Sequence, residues 1–295
     1  ESSPRYGMST NSVAGEATVL EKLKEAGKHS IIYGIGSVAQ SAAGLLLLPI
    51  LTGALSKEDF GAYSLIIMIS TISSAIFYLG MSSALPRSYY DYKEDSDRRA
   101  VFTTAFLILL TGSFLQVTIG VFGSDFVSNL LFDSRRFGRA IYWALVAGAL
   151  TSINGLLFSY LRMLRKSVST IVYSLFSLFT SVGLTILLLK VYPDDLRMPF
   201  IAVAMAQTII VLAFFVTDGR NALCLRFLPE ELSRLVPYGV ASVFASFGAV
   251  ILEWMDRLYI GHFMTLADVG DYSAVYRVAS LMNVLVILPF TQIWS

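Results

Sequence analysis

Charge is what this chain has least of. Only 15% of its 295 residues are Asp, Glu, Lys or Arg, against about 25% in soluble domains. A freely soluble globular domain is thereby excluded. The single cysteine, Cys224, leaves no partner for an internal disulfide and no cysteine-rich metal site. His29 and His262 are too few ligands for an ordinary zinc enzyme. A net charge of +1 gives no global basic field for nucleic acid. No P-loop occurs, so energy for any work must come from an ion gradient or from supply and removal of a substrate. No cofactor or metal is expected, and no catalytic residues.

What fills the space is apolar: 55% of residues, with a mean hydropathy of +0.67. Eight windows contain no charged residue: Ser30–Ser56, Phe60–Pro86, Ala100–Ser124, Ala140–Leu161, Ser167–Leu189, Met198–Thr217, Leu235–Leu252 and Val278–Ser295. Each is long enough to cross a hydrocarbon core of about 30 Å as a helix. They do not alternate in the manner of barrel strands, so helices are the way to satisfy the backbone in lipid. The expected fold is an all-α integral membrane protein, a polytopic bundle with eight transmembrane helices.

Two segments repeat. Tyr33-Gly34-Ile35-Gly36-Ser37-Val38 is echoed by Tyr238-Gly239-Val240-Ala241-Ser242-Val243, and Asp59-Phe60-Gly61-Ala62-Tyr63-Ser64 by Asp268-Val269-Gly270-Asp271-Tyr272-Ser273. The blocks are 26 residues apart in the first copy and 30 in the second, a difference of about one helical turn, so facing is kept. Each copy carries a capping-box pattern, Ser56-x-x-Asp59 and Thr265-x-x-Asp268. One helix–turn–helix unit therefore opens each of two lobes. The expected division is a tail over 1–29, a first six-helix lobe over 30–217, a linker over 218–236 starting a helix at Pro229-Glu230-Glu231, and the first two helices of a second lobe over 237–295. The chain starts at Glu1 and stops inside an uncharged run, so it is expected to be part of a longer protein whose second lobe it only begins.

The loops set the orientation. Alternate loops from the N-terminus hold Lys22, Lys24, Lys28; Arg87, Lys93, Arg98, Arg99; Arg162, Arg165, Lys166; and Arg220, Arg226, Arg234. The opposite loops hold Lys57; Arg135, Arg136, Arg139; and Lys190, Arg197. Thirteen against six places the N-terminus in the cytoplasm by the positive-inside rule.

Some motifs have plainer readings. Gly34-Ile35-Gly36-Ser37-Val38-Ala39 fits a dinucleotide fingerprint, but inside an unbroken apolar window small residues for helix packing are the better reading. Gly61 and Gly270 are expected to let the preceding helix come close. Tyr63 and Tyr272 are expected in the outer aromatic belt. Gln40, Gln116, Asn154 and Gln207 suit interhelical hydrogen bonds.

Glu253-Trp254-Met255-Asp256-Arg257, with Arg277 beyond the turn near 262–268, is where charge enters the apolar pattern. Glu253 and Arg257 have the acid-first spacing of an intrahelical pair. Glu253 and Arg277 both fall about 14 Å from the outer end, so Glu253 or Asp256 can pair with Arg277. Charges there cost about 2.5–3.5 kcal/mol each at a helix centre and read as paired or functional. A self-neutralising tether and an arginine kept for an anion are both open. The first-copy position of Arg277 is Met68, so the hairpin itself needs no cation there. Arg87, after Pro86 and beside Tyr89, Tyr90 and Tyr92, is either a positive-inside anchor or a wall of a cytoplasmic vestibule.

At Leu48-Pro49-Ile50-Leu51-Thr52, Leu55-Ser56-Lys57-Glu58-Asp59-Phe60-Gly61-Ala62-Tyr63-Ser64, Ala84-Leu85-Pro86-Arg87-Ser88-Tyr89-Tyr90, Asp256-Arg257-Leu258 and Leu266-Ala267-Asp268-Val269-Gly270-Asp271-Tyr272-Ser273 the chain resembles the O-antigen type polysaccharide flippases of the multidrug/oligosaccharidyl-lipid/polysaccharide exporter superfamily. The resemblance implies two six-helix lobes around a central cavity in the inner (cytoplasmic) membrane. It implies alternating-access movement of a polyprenyl-diphosphate-linked oligosaccharide between leaflets, surrounded by membrane lipids. Glycosyltransferases and a polymerase of the same pathway are the expected partners. On that reading Arg277 holds the diphosphate, Arg257 and Arg87 are secondary contacts, and Glu253 and Asp256 are resting partners. Three rival readings are a drug/cation antiporter using Glu253, Asp256 or Asp271, a membrane glycosyltransferase using Glu58-Asp59, and a purely structural assembly protein.

Overall fold

A computed structural model describes residues 47–282 apart from 221 and 225. All regular structure among the described residues is helical. The helices are α1 (residues 47–54), α2 (Lys57–Tyr78), α3 (Met81–Asp91), α4 (Asp95–Phe132), α5 (Gly138–Met163), α6 (Ser167–Val191), α7 (Met198–Val216), α8 (Pro229–Phe263) and α9 (Leu266–Met282).

Five stretches are long and apolar enough to cross a membrane: Lys57–Asp91, Asp95–Phe132, Gly138–Met163, Ser167–Val191 and Met198–Val216. The halves of α8, Pro229–Ala245 and Val250–Phe263, meet at 52° and make a sixth when taken as one span. Most of windows Ser30–Ser56 and Val278–Ser295, with Gly34, Gly36 and Gln40, lies outside the described residues. The last helix starts where the Thr265-x-x-Asp268 capping pattern put it: α9 begins at Leu266, so Asp268, Asp271 and Arg277 are inside it.

The surface is that of a chain dissolved in lipid. Phe122, Phe126 and Leu130 form an i, i+4, i+8 stripe on α4, with Phe122 82% exposed. Such a stripe in water would drive association. Most buried apolar residues fall in two clusters, with a third, smaller one of Leu65, Met68 and Val269. One cluster gathers Leu85, Phe102, Leu157, Tyr160 and Phe214, and the other Leu51, Phe60, Tyr63, Ile141 and Phe200. Polar residues tie helices at mid-depth. Gln116 Nε2 donates to Ser74 Oγ at 3.1 Å and to the Leu145 carbonyl at 3.2 Å. Asn154 Nδ2 donates to Gln207 Oε1 at 2.7 Å. These are the interhelical bonds expected of them.

Both capping pairs form, the second as a complete capping box. The Asp59 N–H donates to Ser56 Oγ at 3.1 Å, and Ser56 Oγ to the Asp59 carboxylate at 2.9 Å. In the second copy the Thr265 N–H donates to Asp268 Oδ2 at 3.0 Å, and the Asp268 N–H to Thr265 Oγ1 at 3.3 Å. The helices they start, α2 and α9, then pack on each other. A Cβ on Gly61 would sit 1.8 Å from the Leu266 carbonyl oxygen, and one on Gly270 would sit 2.5 Å from that of Lys57. Leu266 and Lys57 hold the same place in the two copies, so the contact is reciprocal. The glycines therefore serve the approach of one repeat to the other, not to the preceding helix as expected. Lys57 Nζ and Asp271 Oδ2 close the same seam at 3.0 Å.

At the other end α8 crosses the α2–α3 break, where Leu79 and Gly80 are both left-handed (φ 50° and 55°). A Cβ on Gly239 would lie 1.9 Å from the Leu79 carbonyl oxygen. The second-copy glycine thus packs helix on backbone, as the small-residue reading required. The described residues of 218–236 are strapped to this end. Arg226 reaches Asp97 at 2.5 Å, the Cys224 N–H donates to Thr103 Oγ1 at 3.0 Å, and the Leu228 N–H to Thr104 Oγ1 at 3.1 Å. Lys166 pairs with Asp218 at 2.7 Å and holds its carboxyl below the usual range.

Candidate functional site

The charged stretch falls in the last turns of α8, facing the first turns of α9. Asp256 accepts the Tyr272 hydroxyl, and Arg257 lies over the Tyr272 and Tyr276 rings at 5.8 and 4.3 Å from their centroids. This antiparallel register puts Glu253 and Arg277 at one level, as residue counting required. The pairing differs from expectation. Arg257 Nη1 donates to the Glu253 backbone carbonyl at 2.6 Å, not to its carboxylate. Its ionic contact is Asp256, at 3.7 Å.

Arg257 is 4% exposed and also stacks 4.6 Å from the Trp254 centroid. Three rings and a carboxylate enclose it, so it is a packing element of the α8–α9 hairpin rather than a free cation. Arg277 is the contrary case. It has no ion pair among the described residues and does not meet Glu253 or Asp256. It points to the first repeat, 5.4 Å from the Phe60 centroid and 5.5 Å from that of Tyr63. Cation–π contact is worth about 0.5–2 kcal/mol depending on desolvation, less than a guanidinium gains from a phosphate fork. The arrangement holds the cation without neutralising it. Tyr63 is accordingly buried under α9 and packs 5.1 Å from Phe200, rather than sitting in an outer belt.

Arg87 is elsewhere. Its guanidinium rests 4.9 Å from the Tyr238 centroid near the start of α8, and Arg257 comes 19 residues later, about 28 Å along the helix path. One diphosphate cannot touch both ends. Around Arg87, α3 and α8 enclose a cavity of about 410 Å³ with Ser88, Asp91, Arg234 and Tyr238 in its lining. Behind it lies a residue that sequence reasoning missed. Glu231, read as a helix-start acid, is 0% exposed. It accepts the Ser88 hydroxyl, the Tyr92 hydroxyl at 2.9 Å and Arg234 at 3.2 Å. The Tyr92 hydroxyl is pushed up, chiefly by that hydrogen bond to the carboxylate. No sequence signal links residues so far apart.

Asp59 of the proposed Glu58-Asp59 catalytic pair is occupied. Besides its capping role it binds Arg136 at 2.8 Å and is 5% exposed. No cluster of three or more metal-ligating side chains occurs among the described residues.

Fold and site define a multi-pass helical membrane protein in which α2 and α9, opened by matching capping pairs, pack on each other. The profile of the family described as "Polysaccharide biosynthesis protein" matches residues 26–294, and the chain belongs to that family. Two curated proteins of Haemophilus influenzae are similar. One, described as an uncharacterized membrane protein, is 22% identical over 265 residues, covering 88% of this chain and 62% of its own length. The other, "Lsg locus putative protein 1", is 20% identical with the same coverage. The chain thus spans about three fifths of the curated relatives it matches. Among solved structures, the MATE multidrug transporter DinF-BH shares the fold: TM-score 0.69, 14% identity, covering 87% of this chain and 60% of that one.

Proposed function

We propose that the complete protein carries a polyprenyl-diphosphate-linked oligosaccharide across the cytoplasmic membrane by alternating access. The N-terminus and the 87–99, 162–167 and 218–236 loops face the cytoplasm. Residues 30–217 form one lobe and the chain from 237 begins the other. Arg277 holds the diphosphate. A sugar diphosphate cannot cross hydrocarbon unaided, because unpaired buried charge costs many kcal/mol, and an arginine fork fits phosphate oxygens. The single observation that carries this reading is the Arg277 guanidinium: it lies over Phe60 and Tyr63 and makes no ion pair among the described residues. Membership of the polysaccharide biosynthesis family and the likeness to an Lsg locus protein support it.

The test is transport by the full-length protein in proteoliposomes loaded with a polyprenyl-diphosphate trisaccharide. Movement of that lipid, and none of a cationic dye, is expected. Dye efflux without lipid movement would replace this reading with the antiporter.

A further inference from the structure

Glu231 is a buried carboxylate that the transport reading leaves unused. Both of its oxygens are taken. One accepts the Ser88 hydroxyl, the other the Tyr92 hydroxyl at 2.9 Å and Arg234 at 3.2 Å. Two of the three donors come from α3 and its C-cap, Tyr92, so the carboxylate ties α8 to α3. Arg87, Arg234 and Asp91 line the cavity in front of it, and with Glu231 these four charges cancel. The contact closes on itself and leaves no net charge to attract a ligand.

A permanent joint between two helices does not call for a buried carboxylate. Apolar packing of the same volume is often as stable or more so, and buried ionic groups are best attested where register or switching matters. The opposite end of the same interface is built from shape instead. There α2 and α9 meet backbone on backbone at Gly61 and Gly270, and Val269 packs on Leu65 and Met68. Of the two ends, the one held by hydrogen bonds to a single charge is the one that can be made and undone.

The surroundings leave this part of α8 room to turn. Its start is strapped to α4 by the Leu228 N–H on Thr104 Oγ1 at 3.1 Å. Its next fixed point is Gly239, which rests on the Leu79 carbonyl. Glu231, Leu235 and Tyr238 lie between the two at i, i+4 and i+7, on one face. Past Gly239 the packing loosens. Crevices of about 280 and 130 Å³ both border Val243 and Phe247, and a Cβ on Gly248 would meet nothing within 4 Å. The halves Pro229–Ala245 and Val250–Phe263 bend by 52° at this same place. A roll of the first half about its axis therefore turns Glu231 and Leu235 away from α3 without disturbing the second half.

We infer that Glu231 is the latch of the cytoplasm-side gate. Bonded to Ser88 and Tyr92, it keeps α8 on α3. When it lets go, the first half of α8 rolls and the cavity of about 410 Å³ opens at that end, while the glycine seam at the other end stays shut. The inference rests on the alternating-access reading and supplies one of its two gates.

Accessibility is measured on the full-length protein in nanodiscs, with a water-soluble maleimide and one cysteine at a time in a Cys224→Ser background. Leu235→Cys reads the latch, because Leu235 is buried and lines the cavity. Val269→Cys reads the seam, where Val269 is buried. Glu231→Gln keeps the size and removes the charge that strengthens three hydrogen bonds, and should raise labelling at Leu235→Cys at least about fivefold. Tyr92→Phe, a milder change at a half-buried position, is the second variant and should raise it about threefold. Neither should raise labelling at Val269→Cys. Unchanged labelling at Leu235→Cys in Tyr92→Phe overturns the latch. A rise of equal size at both cysteines also overturns it, since general loosening then accounts for both. Latch-dependent labelling in a protein that moves no lipid-linked sugar keeps the latch and removes the flippase reading. Normal transport with latch-independent labelling does the reverse.

Discussion

A methyl group on Gly61 has no room. Its Cβ would lie 1.8 Å from the Leu266 carbonyl oxygen, where ordinary contact begins at 3.4 Å, so α2 and α9 must part by about 1.6 Å at that point. The obstacle is backbone, and no rotamer relieves it. Overpacking of this kind costs about 1–3 kcal/mol, which shifts the closed seam by about 5- to 150-fold. The shift is read at Val269, fully buried at the seam in the first turn of α9. In a Cys224→Ser, Val269→Cys background, Gly61→Ala should raise the rate of maleimide labelling at least about fivefold. Gly183, with nothing within 4 Å of its Cβ position, is the control, and Gly183→Ala should label like the parent. Equal rates in Gly61→Ala and the parent would refute the reciprocal seam, as would an equally large effect from Gly183→Ala.

Other outcomes follow from single contacts. Ser56→Ala and Thr265→Ala should each cost about 1 kcal/mol, seen as faster amide exchange in the first turns of α2 and α9. Arg257→Ala should lower the unfolding temperature in detergent, with a loss of about 2 kcal/mol from its desolvated ring contacts, and Arg257→Lys should not restore it. Asp218 is held low mainly by Lys166, so its contribution is present above the ordinary carboxylate value and lost as pH falls through the depressed one. Lys166→Met should therefore destabilise the protein at neutral pH, and the difference should vanish in acid. Single cysteines replacing Lys57 and Arg165 in a Cys224→Ser background test orientation. An impermeant thiol reagent on intact cells should label the first and not the second; the opposite pattern inverts the topology.

The two matching helix starts were legible because their parts are local. A capping box needs four consecutive residues, and an apolar window needs only the absence of charge. The start of α8 at Pro229-Glu230-Glu231 was readable for the same reason. The start of α9 was readable from Thr265-x-x-Asp268, although a rule counting uncharged residues alone skips Asp268, Asp271 and Arg277, which cap the helix or face a partner helix. The direction of Arg277 was not legible. Residue counting fixes the level along a helix, but whether α2 or α8 receives the side chain depends on how three helices pack. Tyr63 was misplaced for that reason too, since the α9 that buries it comes about 200 residues later in the chain. Glu231 meets Ser88 across 143 residues, and only the crossing of α8 over the α2–α3 break brings them together.

The most direct measurement is lipid transport by full-length Arg277→Met and Arg277→Lys at wild-type abundance in proteoliposomes. If the guanidinium grips a diphosphate through a two-pronged contact, Arg277→Met should abolish transport and Arg277→Lys should lose most of it although the charge is kept. Near-normal transport by Arg277→Met would contradict the account.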